Sequence, residues 1–167
     1  RQLDDLEKFI KQLPRSFQYS VEVRHLDFFN QGDEEIALNQ LLQSYSVDRV
    51  CFDSRALFSK TAVTEQEKDA QRKKPRLPVH AIVTSTNPII RFIGSSDFHH
   101  NQQYLLAWVD KMTQWAEQGI TPTVFIHTPD NARAPEQAAI FHQLLSGLEG
   151  WQPLSRTLKD EAQLAIF

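Results

Sequence analysis

The chain has 167 residues, of which 41% are hydrophobic and 23% are charged, and its formal net charge is −3. This composition is typical of one globular domain, so residues 1–167 are treated as a single domain. The apolar runs are only as long as β-strands, so we expect no membrane-spanning helix and no membrane partner. A negative net charge argues against a surface devoted to nucleic acid. The single cysteine, Cys51, cannot form an internal disulfide, and we expect a cytoplasmic protein.

Apolar residues recur with helical spacing in some segments and alternate in others, so helices and strands are predicted to follow one another along the chain. The predicted helices cover residues 3–13, 36–45, 101–118 and 135–148. The predicted strands cover residues 17–24, 49–53, 89–94 and 123–127. Strands that alternate with helices favour a parallel sheet with crossover helices. The sequence therefore predicts the α/β fold class.

Residues 54–87 interrupt this alternation and are predicted to be a polar connecting insertion. Their middle, residues 64–76, has almost no apolar side chains, so it can form at most a helix that lies on the surface. Its lysine and arginine side chains could contact phosphates. Acidic residues neutralise the start of this segment and no aromatic residues are interleaved, so a solvated face is the simpler interpretation.

The helix at residues 101–118 has the clearest apolar face of the chain, and we expect that face to pack against the sheet. Its members are Tyr104, Trp108, Met112 and Trp115. Either Asp97 or Asn101 is expected to cap this helix at its amino end. The adjacent His99 and His100 are then expected in a solvated loop that precedes the helix.

Four short motifs follow one another at characteristic spacing along the chain. They are Glu22-x-Arg24, Arg91-x-x-Gly94, the pair Tyr104 and Trp108, and a strand that ends in Phe-x-His-Thr-Pro-Asp-Asn. Because it carries these motifs in this order, the chain resembles the C-terminal part of YecE-like proteins, an uncharacterised bacterial family with a TIM-barrel-like fold. Two positions depart from the family pattern. Arg-x-His-Gly is replaced by Arg91-Phe92-Ile93-Gly94, and the usual aromatic residue after Glu-x-Arg is matched only by Phe28 or Phe29.

The resemblance implies a (β/α)8 barrel, of which this chain would supply roughly the second half. The first barrel strands would belong to an N-terminal half that is missing here. Strand edges on both sides of the chain would then be unpaired. We therefore expect a protein partner, which is either the missing N-terminal half of the barrel or a self-associating copy of this chain.

Side chains that could carry chemistry follow the carboxyl ends of the predicted strands, and in a parallel barrel these ends meet at one mouth. The candidates are Glu22, Arg24, His25, Asp53, Arg91, Gly94, His127 and Asp130. Glu22 and Asp53 are the candidate catalytic residues, because carboxylates can transfer protons. Glu22 and Arg24 lie on the same side of their strand, since side chains repeat every two residues. They could equally form a structural ion pair.

Ligand-binding roles are predicted for Arg24, Arg91, Gly94, His127 and Asp130. Arginine offers a planar fork to phosphate or carboxylate, and a glycine after a barrel strand lets backbone amides approach an anion. The alternative is a turn glycine beside a buried arginine that pairs with a carboxylate of the chain, either Glu22 or Asp53. An anionic small molecule is the ligand class that this pattern favours.

A divalent metal is a further possibility, because His25, Asp53, His127 and Asp130 are ligand types that metals use. No compact metal-binding motif connects these residues. The alternative is that His127 hydrogen-bonds a backbone carbonyl while Asp130 caps the turn that follows. Cys51 lies in the middle of a predicted strand, where thiols are usually buried and inert.

Two classes of function stay open at this point. The first is an enzyme, a hydrolase or an isomerase, that acts at the barrel mouth on a phosphorylated or polyhydroxylated ligand. The second is a non-catalytic protein that binds an anionic ligand, or nucleic acid with the help of the basic segment. A fragment without independent activity is the third outcome that the missing half would allow.

Overall fold

The computed structural model describes residues 2–154, and the tail after residue 154 lies outside this range. The α-helices are α1 (Gln2–Gln12), α2 (Asp33–Ser44), α3 (Arg55–Phe58), α4 (Glu65–Lys73), α5 (Phe98–Glu117) and α6 (Ala134–Leu144). The strands are β1 (Ser20–Val21), β2 (Asp48–Arg49), β3 (Cys51–Asp53), β4 (Ile89–Ile93) and β5 (Thr123–His127). Two short 3-10 helices cover Leu26–Phe29 and Asn131–Arg133.

All strand pairs are parallel, which confirms the α/β class with parallel sheets. β1 pairs with β2, and β3, β4 and β5 form a second ladder in that order. Only Val50 separates β2 from β3, and its N–H donates to the carbonyl of Val21 at 2.9 Å. One extended segment, residues 48–53, thus joins both ladders, and the order of strands in space follows their order in the chain. The described residues contain no closed barrel.

The two faces of the sheet differ in what covers them. On the helix-facing side, Ile90 and Phe92 of β4 are fully buried in a cluster with Trp108 and Trp115 of α5. Side chains alternate along a strand, so Arg91 points to the opposite side, which we call the inner face. The strand register places Arg91 between Phe52 and Phe125 on that face. Phe125 is 51% exposed, so the inner face is open at β5.

The polar insertion folds as α3, α4 and a segment at residues 74–88 that is neither helix nor strand. α4 has no buried residue, as expected for a surface helix, and it begins at a capping box between Thr64 and Glu67. The segment at 74–88 lies against residues 47–51, where the Thr84 hydroxyl donates to the carbonyl of Val47 at 2.7 Å. This segment therefore makes the return path to the next strand, where a crossover helix usually runs.

Two local expectations need correction. The first strand is much shorter than the alternation over residues 17–24 indicates, because only Ser20 and Val21 have ladder partners. His99 and His100 lie in the first turn of α5 rather than in a loop before it. Asp97 is the N-cap, since its side chain accepts from the N–H of His100 at 2.9 Å. None of the helices in residues 2–154 has both the length and the apolar character that crossing a membrane requires.

Candidate functional site

A row of polar side chains crosses the inner face, with Glu22 directly after β1, Arg91 in the middle of β4 and His127 at the end of β5. The Glu22 carboxylate accepts from Arg24 at 2.7 Å through one oxygen and from Arg91 at 2.5 Å through the other. The second terminal nitrogen of Arg91 lies 3.4 Å from Nε2 of His127. The Arg91 guanidinium also lies over the ring of Phe52, 5.6 Å from its centroid. We call Glu22, Arg24, Arg91 and His127 the inner-face cluster.

The charges of this cluster are partly shielded from water. The side chains of Glu22 and Arg91 are 16% and 21% exposed, whereas that of Arg24 is 53% exposed. Burial alone would raise the pKa of Glu22, but the hydrogen bonds from Arg91 and Arg24 outweigh it and hold the pKa below its ordinary value. Glu22 is therefore a carboxylate at neutral pH, and while both arginines hold it, it is a weak proton acceptor.

His127 is uncharged at neutral pH. Burial lowers its pKa, the positive charges of Arg91 and Lys74 lower it further, and Glu22 opposes them only in part. Arginine has no acceptor, so the contact between Arg91 and Nε2 places a lone pair on Nε2 and the proton on Nδ1. In the described structure the His127 side chain contacts Arg91, rather than the backbone carbonyl that the alternative interpretation required.

Lys74 is the residue of this region that sequence reasoning missed. It directly follows α4, and its charge acts on His127 although the two residues are far apart in the chain. The sequence shows Lys74 only as one of several basic residues in a polar insertion. Its place near the inner face depends on how α4 packs, which no local pattern reveals.

Asp53 is not part of the inner-face cluster. It is fully buried, and its oxygens accept from the indole N–H of Trp108 at 2.8 Å and from Arg55 through Nε, Nη2 and the backbone N–H, at 2.9 to 3.0 Å. Since Trp108 belongs to α5, the carboxylate of Asp53 points to the helix-facing side. The structure therefore places the two candidate catalytic carboxylates, Glu22 and Asp53, on opposite faces of the sheet.

The other candidates have local roles in the described structure. His25 is 70% exposed and caps the 3-10 helix that follows, through Nδ1 and the N–H of Asp27. Asp130 caps its turn by accepting from the N–H of Ala132 at 3.0 Å, which agrees with the turn interpretation. The N–H of Gly94 donates to the carbonyl of His127 at 2.9 Å and so continues the ladder beyond the strand ends.

Gly94 leaves room for a buried polar network. A Cβ at this position would lie 2.7 Å from Nδ2 of Asn101. Asn101 is fully buried and bonds to Ser95 and to the side chain of Gln137 in α6. The glycine thus serves the packing of α5 and α6 against β4, and its own amide is occupied by the carbonyl of His127.

The four proposed metal ligands do not converge within the described range. No group of three or more His, Cys, Asp or Glu side chains in residues 2–154 is arranged to hold a metal ion. A divalent metal at His25, Asp53, His127 or Asp130 therefore stays a prediction that the geometry of these residues does not support.

The basic segment is largely neutralised by its own helix. Lys68 pairs with Glu65 at 2.7 Å, and Asp69 pairs with Lys73 at 2.6 Å and with Arg72. These contacts span three or four residues on the surface of α4, where such pairs are common. The positive charge available to a nucleic acid on this helix is thus smaller than the sequence count indicates.

The inner-face cluster is suited to binding an anion. Two arginines face one carboxylate, so the group carries excess positive charge, and Lys74 adds to the positive field around His127. An anion could take the place of Glu22 on the planar guanidinium of Arg91. Glu22 would stay paired during this exchange, because Arg24 also binds it. The neutral imidazole beside Arg91 could accept a proton from the same ligand.

Comparisons with known proteins agree with the resemblance seen in the motifs. The family model described as "Protein of unknown function DUF72" matches residues 1–161. The chain is 46% identical over 160 residues to the UPF0759 protein YecE of Escherichia coli strain K12, which covers 96% of this chain and 55% of that protein. It is 45% identical, with the same coverage, to the protein of that name from Escherichia coli O157:H7. The chain thus spans little more than half the length of these relatives, and no solved structure matches it.

Proposed function

The chain belongs to the DUF72 family, and from that premise we propose that it binds a small anionic ligand on its inner-face cluster, at the mouth of a (β/α)8-type barrel of which it forms about half. The observation that carries this proposal is the sharing of Glu22 between Arg24 and Arg91 beside an uncharged His127. A carboxylate held in this way marks the place where the negative group of a ligand can bind.

The barrel is supported by the order and the exposure of the strands. Each strand segment pairs in parallel with its neighbour in the chain, which is the order that a (β/α)8 barrel requires. The half-exposed Phe125 lies on the inner face, where further strands would cover it. The relatives are long enough to provide those strands, since this chain accounts for 55% of their length. The missing segment or a second copy of this chain would then be the protein partner.

The proposed activity is proton transfer or hydrolysis on a phosphorylated or polyhydroxylated ligand. Arg91 and Arg24 would hold the anionic group and position the ligand. His127 would accept a proton through Nε2 from a ligand hydroxyl or from water, and Arg91 would stabilise the negative charge that develops. Glu22 would orient Arg91 before the ligand arrives. Asp53 is left out of this scheme because Trp108 and Arg55 occupy its oxygens.

Titration of the chain with inorganic phosphate and with a sugar phosphate, followed by the imidazole resonances of His127, tests this proposal. We expect saturable shifts of His127 and a loss of at least tenfold in affinity on Arg91→Met. The matched control is Arg15→Met, since Arg15 is an exposed arginine in the segment that precedes β1. Equal affinities in the two variants, or no saturable shift of His127, would contradict the proposal.

Binding of a single-stranded oligonucleotide in the same titration would favour the alternative function. Such binding should weaken steeply with added salt, and Arg91→Met should affect it no more than Arg15→Met does.

A further inference from the structure

The connection between β3 and β4 borders a partly open cavity whose lining includes none of the inner-face cluster residues. Residues 57–64, the first turns of α4 and the turn at residues 95–97 surround a volume of about 310 Å³. This volume is at the lower end of the range for small-molecule sites, roughly 300–1,000 Å³. The cavity lies after the carboxyl ends of β3 and β4, where parallel α/β folds commonly place ligands.

The walls of this cavity are fixed by specific contacts. The side-chain amide of Gln71 donates to the carbonyls of Leu57 and Lys60, at 2.8 and 2.9 Å. Glu67 accepts from the backbone N–H of Val63 at 2.9 Å, and Lys60 pairs with Asp97 at 2.8 Å. The loop between α3 and α4 is therefore tied both to α4 and to the turn after β4. Such ties give the cavity a defined shape before any ligand binds.

The charged groups in the wall are already satisfied. Lys60 and Asp97 neutralise each other, and Glu67 accepts from several backbone N–H groups, including that of Ser96 at 3.4 Å. Lys60 brings one positive charge, whereas Glu67 and Asp97 bring two negative ones, so the wall does not attract an anion. This charge balance is opposite to that of the inner-face cluster.

The groups that are left for a ligand are neutral. Both donors of the Gln71 amide are used, while its carbonyl oxygen accepts from no described residue. The hydroxyl of Thr61 has no hydrogen-bond partner in residues 2–154. Leu57, Ala62 and Val63 add apolar surface beside these oxygens. Hydroxyl groups on a carbon skeleton complement such a wall, since they donate to free acceptors and present C–H groups to apolar side chains.

From this geometry we propose that the cavity is a second ligand site, separate from the anion site, that binds an uncharged polyhydroxylated compound of the size of one sugar unit. The hydroxyls of the ligand contact Gln71 and Thr61, and its carbon skeleton contacts Leu57 and Val63. The Lys60–Asp97 pair borders the opening.

Amide chemical shifts of the full chain, titrated with xylitol, with D-glucose and with inorganic phosphate, test the second site. We expect saturable shifts of the Thr61 and Ser96 amides with at least one of the two polyols. Inorganic phosphate should leave these two amides unchanged. Shifts of these amides with phosphate, or none with either polyol, would overturn the proposal.

Two variants make the assignment specific. Ala62→Trp fills the cavity and should abolish the shifts, whereas Ala37→Trp, at an exposed position of α2, should keep them. Thr61→Val removes one hydroxyl at nearly constant shape and should weaken polyol binding several-fold. This variant still tests the proposal if Ala62→Trp does not fold. Unchanged binding in the valine variant and in a folded Ala62→Trp chain would overturn the proposal. Arg91→Met should leave polyol binding intact, so the failure of one site is distinguishable from the failure of the other.

Discussion

Replacing Asp53 with alanine should destabilise the chain, because this carboxylate accepts four hydrogen bonds in a fully buried position. The two residues that donate these bonds lie in different helices. Trp108 lies in the middle of α5, and Arg55 begins α3 directly after β3. Asp53 thus connects the end of a strand to two helices, and its loss should lower the free energy of unfolding.

The magnitude follows from the three kinds of donor. The buried indole N–H of Trp108 would lose its acceptor, which costs about 1–3 kcal/mol. The backbone N–H of Arg55 would lose a contact comparable to a helix cap, worth ~0.5–2 kcal/mol. The Arg55 side chain is 41% exposed and can turn to water, so its ion pair contributes only ~0–1 kcal/mol. The free energy of unfolding should therefore fall by about 1.5–6 kcal/mol.

Urea denaturation of four chains measures this effect: the parent, Asp53→Ala, Trp108→Phe and the double variant. Because Trp108→Phe removes the donor that Asp53→Ala would leave unpaired, the double variant should be more stable than the sum of the single losses predicts. We expect a coupling free energy of about 1–3 kcal/mol between the two positions. Asp110→Ala, at an exposed position of α5, is the matched control and should change stability by less than ~0.5 kcal/mol.

The reasoning would be refuted by an Asp53→Ala chain as stable as the Asp110→Ala control, or by a coupling free energy near zero. Either result would mean that the carboxylate is not needed to satisfy Trp108 and Arg55. Asp53 would then be available for chemistry, and the catalytic role suggested by its position at a strand end would have to be reconsidered.

Three further outcomes are expected. Gly94→Ala should lower the unfolding free energy by about 1–3 kcal/mol in urea, because its Cβ would press on buried Asn101; an unchanged midpoint would show that Asn101 can move. Burial lowers the pKa of His127 below 6.5 in the folded chain. As the pH drops below 6.5, the unfolded chain therefore binds this proton more readily than the folded chain, and the free energy of unfolding should fall. The urea midpoint of His127→Gln should fall less over this pH range than that of the parent chain, and equal falls in the two chains would refute the prediction. Burial raises the pKa of the Cys51 thiol to about 12, so the native chain should resist a thiol reagent at pH 8 and react after unfolding; reaction of the native chain at the unfolded rate would contradict this.

Local patterns predicted most of the elements and several side-chain roles. The spacing of apolar residues located α1, α2, α5, α6 and the four strand regions, because burial on one face follows the helical or strand period, but it gave no signal for the short α3. The turn residues Asp97 and Asp130 were recognised as capping candidates, since a cap needs only its own and the next few residues. The α5 boundary was wrong by about one turn because the histidines after Asp97 do not interrupt a helix that is already capped.

The local patterns could not predict which side chains come together in the site. Alternation placed Glu22 and Arg24 on one side of their strand, but the partner across the sheet depends on register, and a slip of one residue reverses the faces. Asp53 directly follows Phe52, which lies opposite Arg91, so Asp53 points to the other face of the sheet. The sequence therefore grouped side chains by their position along the strands. The structure divides them by face.

The way the strands pair has a kinetic consequence for the chain. Every strand pairs with a segment fewer than 40 residues away, and no strand in residues 2–154 reaches past its nearest neighbour in the chain. These separations are those of single strand–connection–strand units, so no pairing requires a loop longer than one unit to close. One strand and its return path can therefore add to the preceding one as the chain leaves the ribosome, before any later segment exists. Assembly by successive addition would make β5 the last strand of residues 2–154 to dock, and its outer edge would stay open to a strand from outside this range.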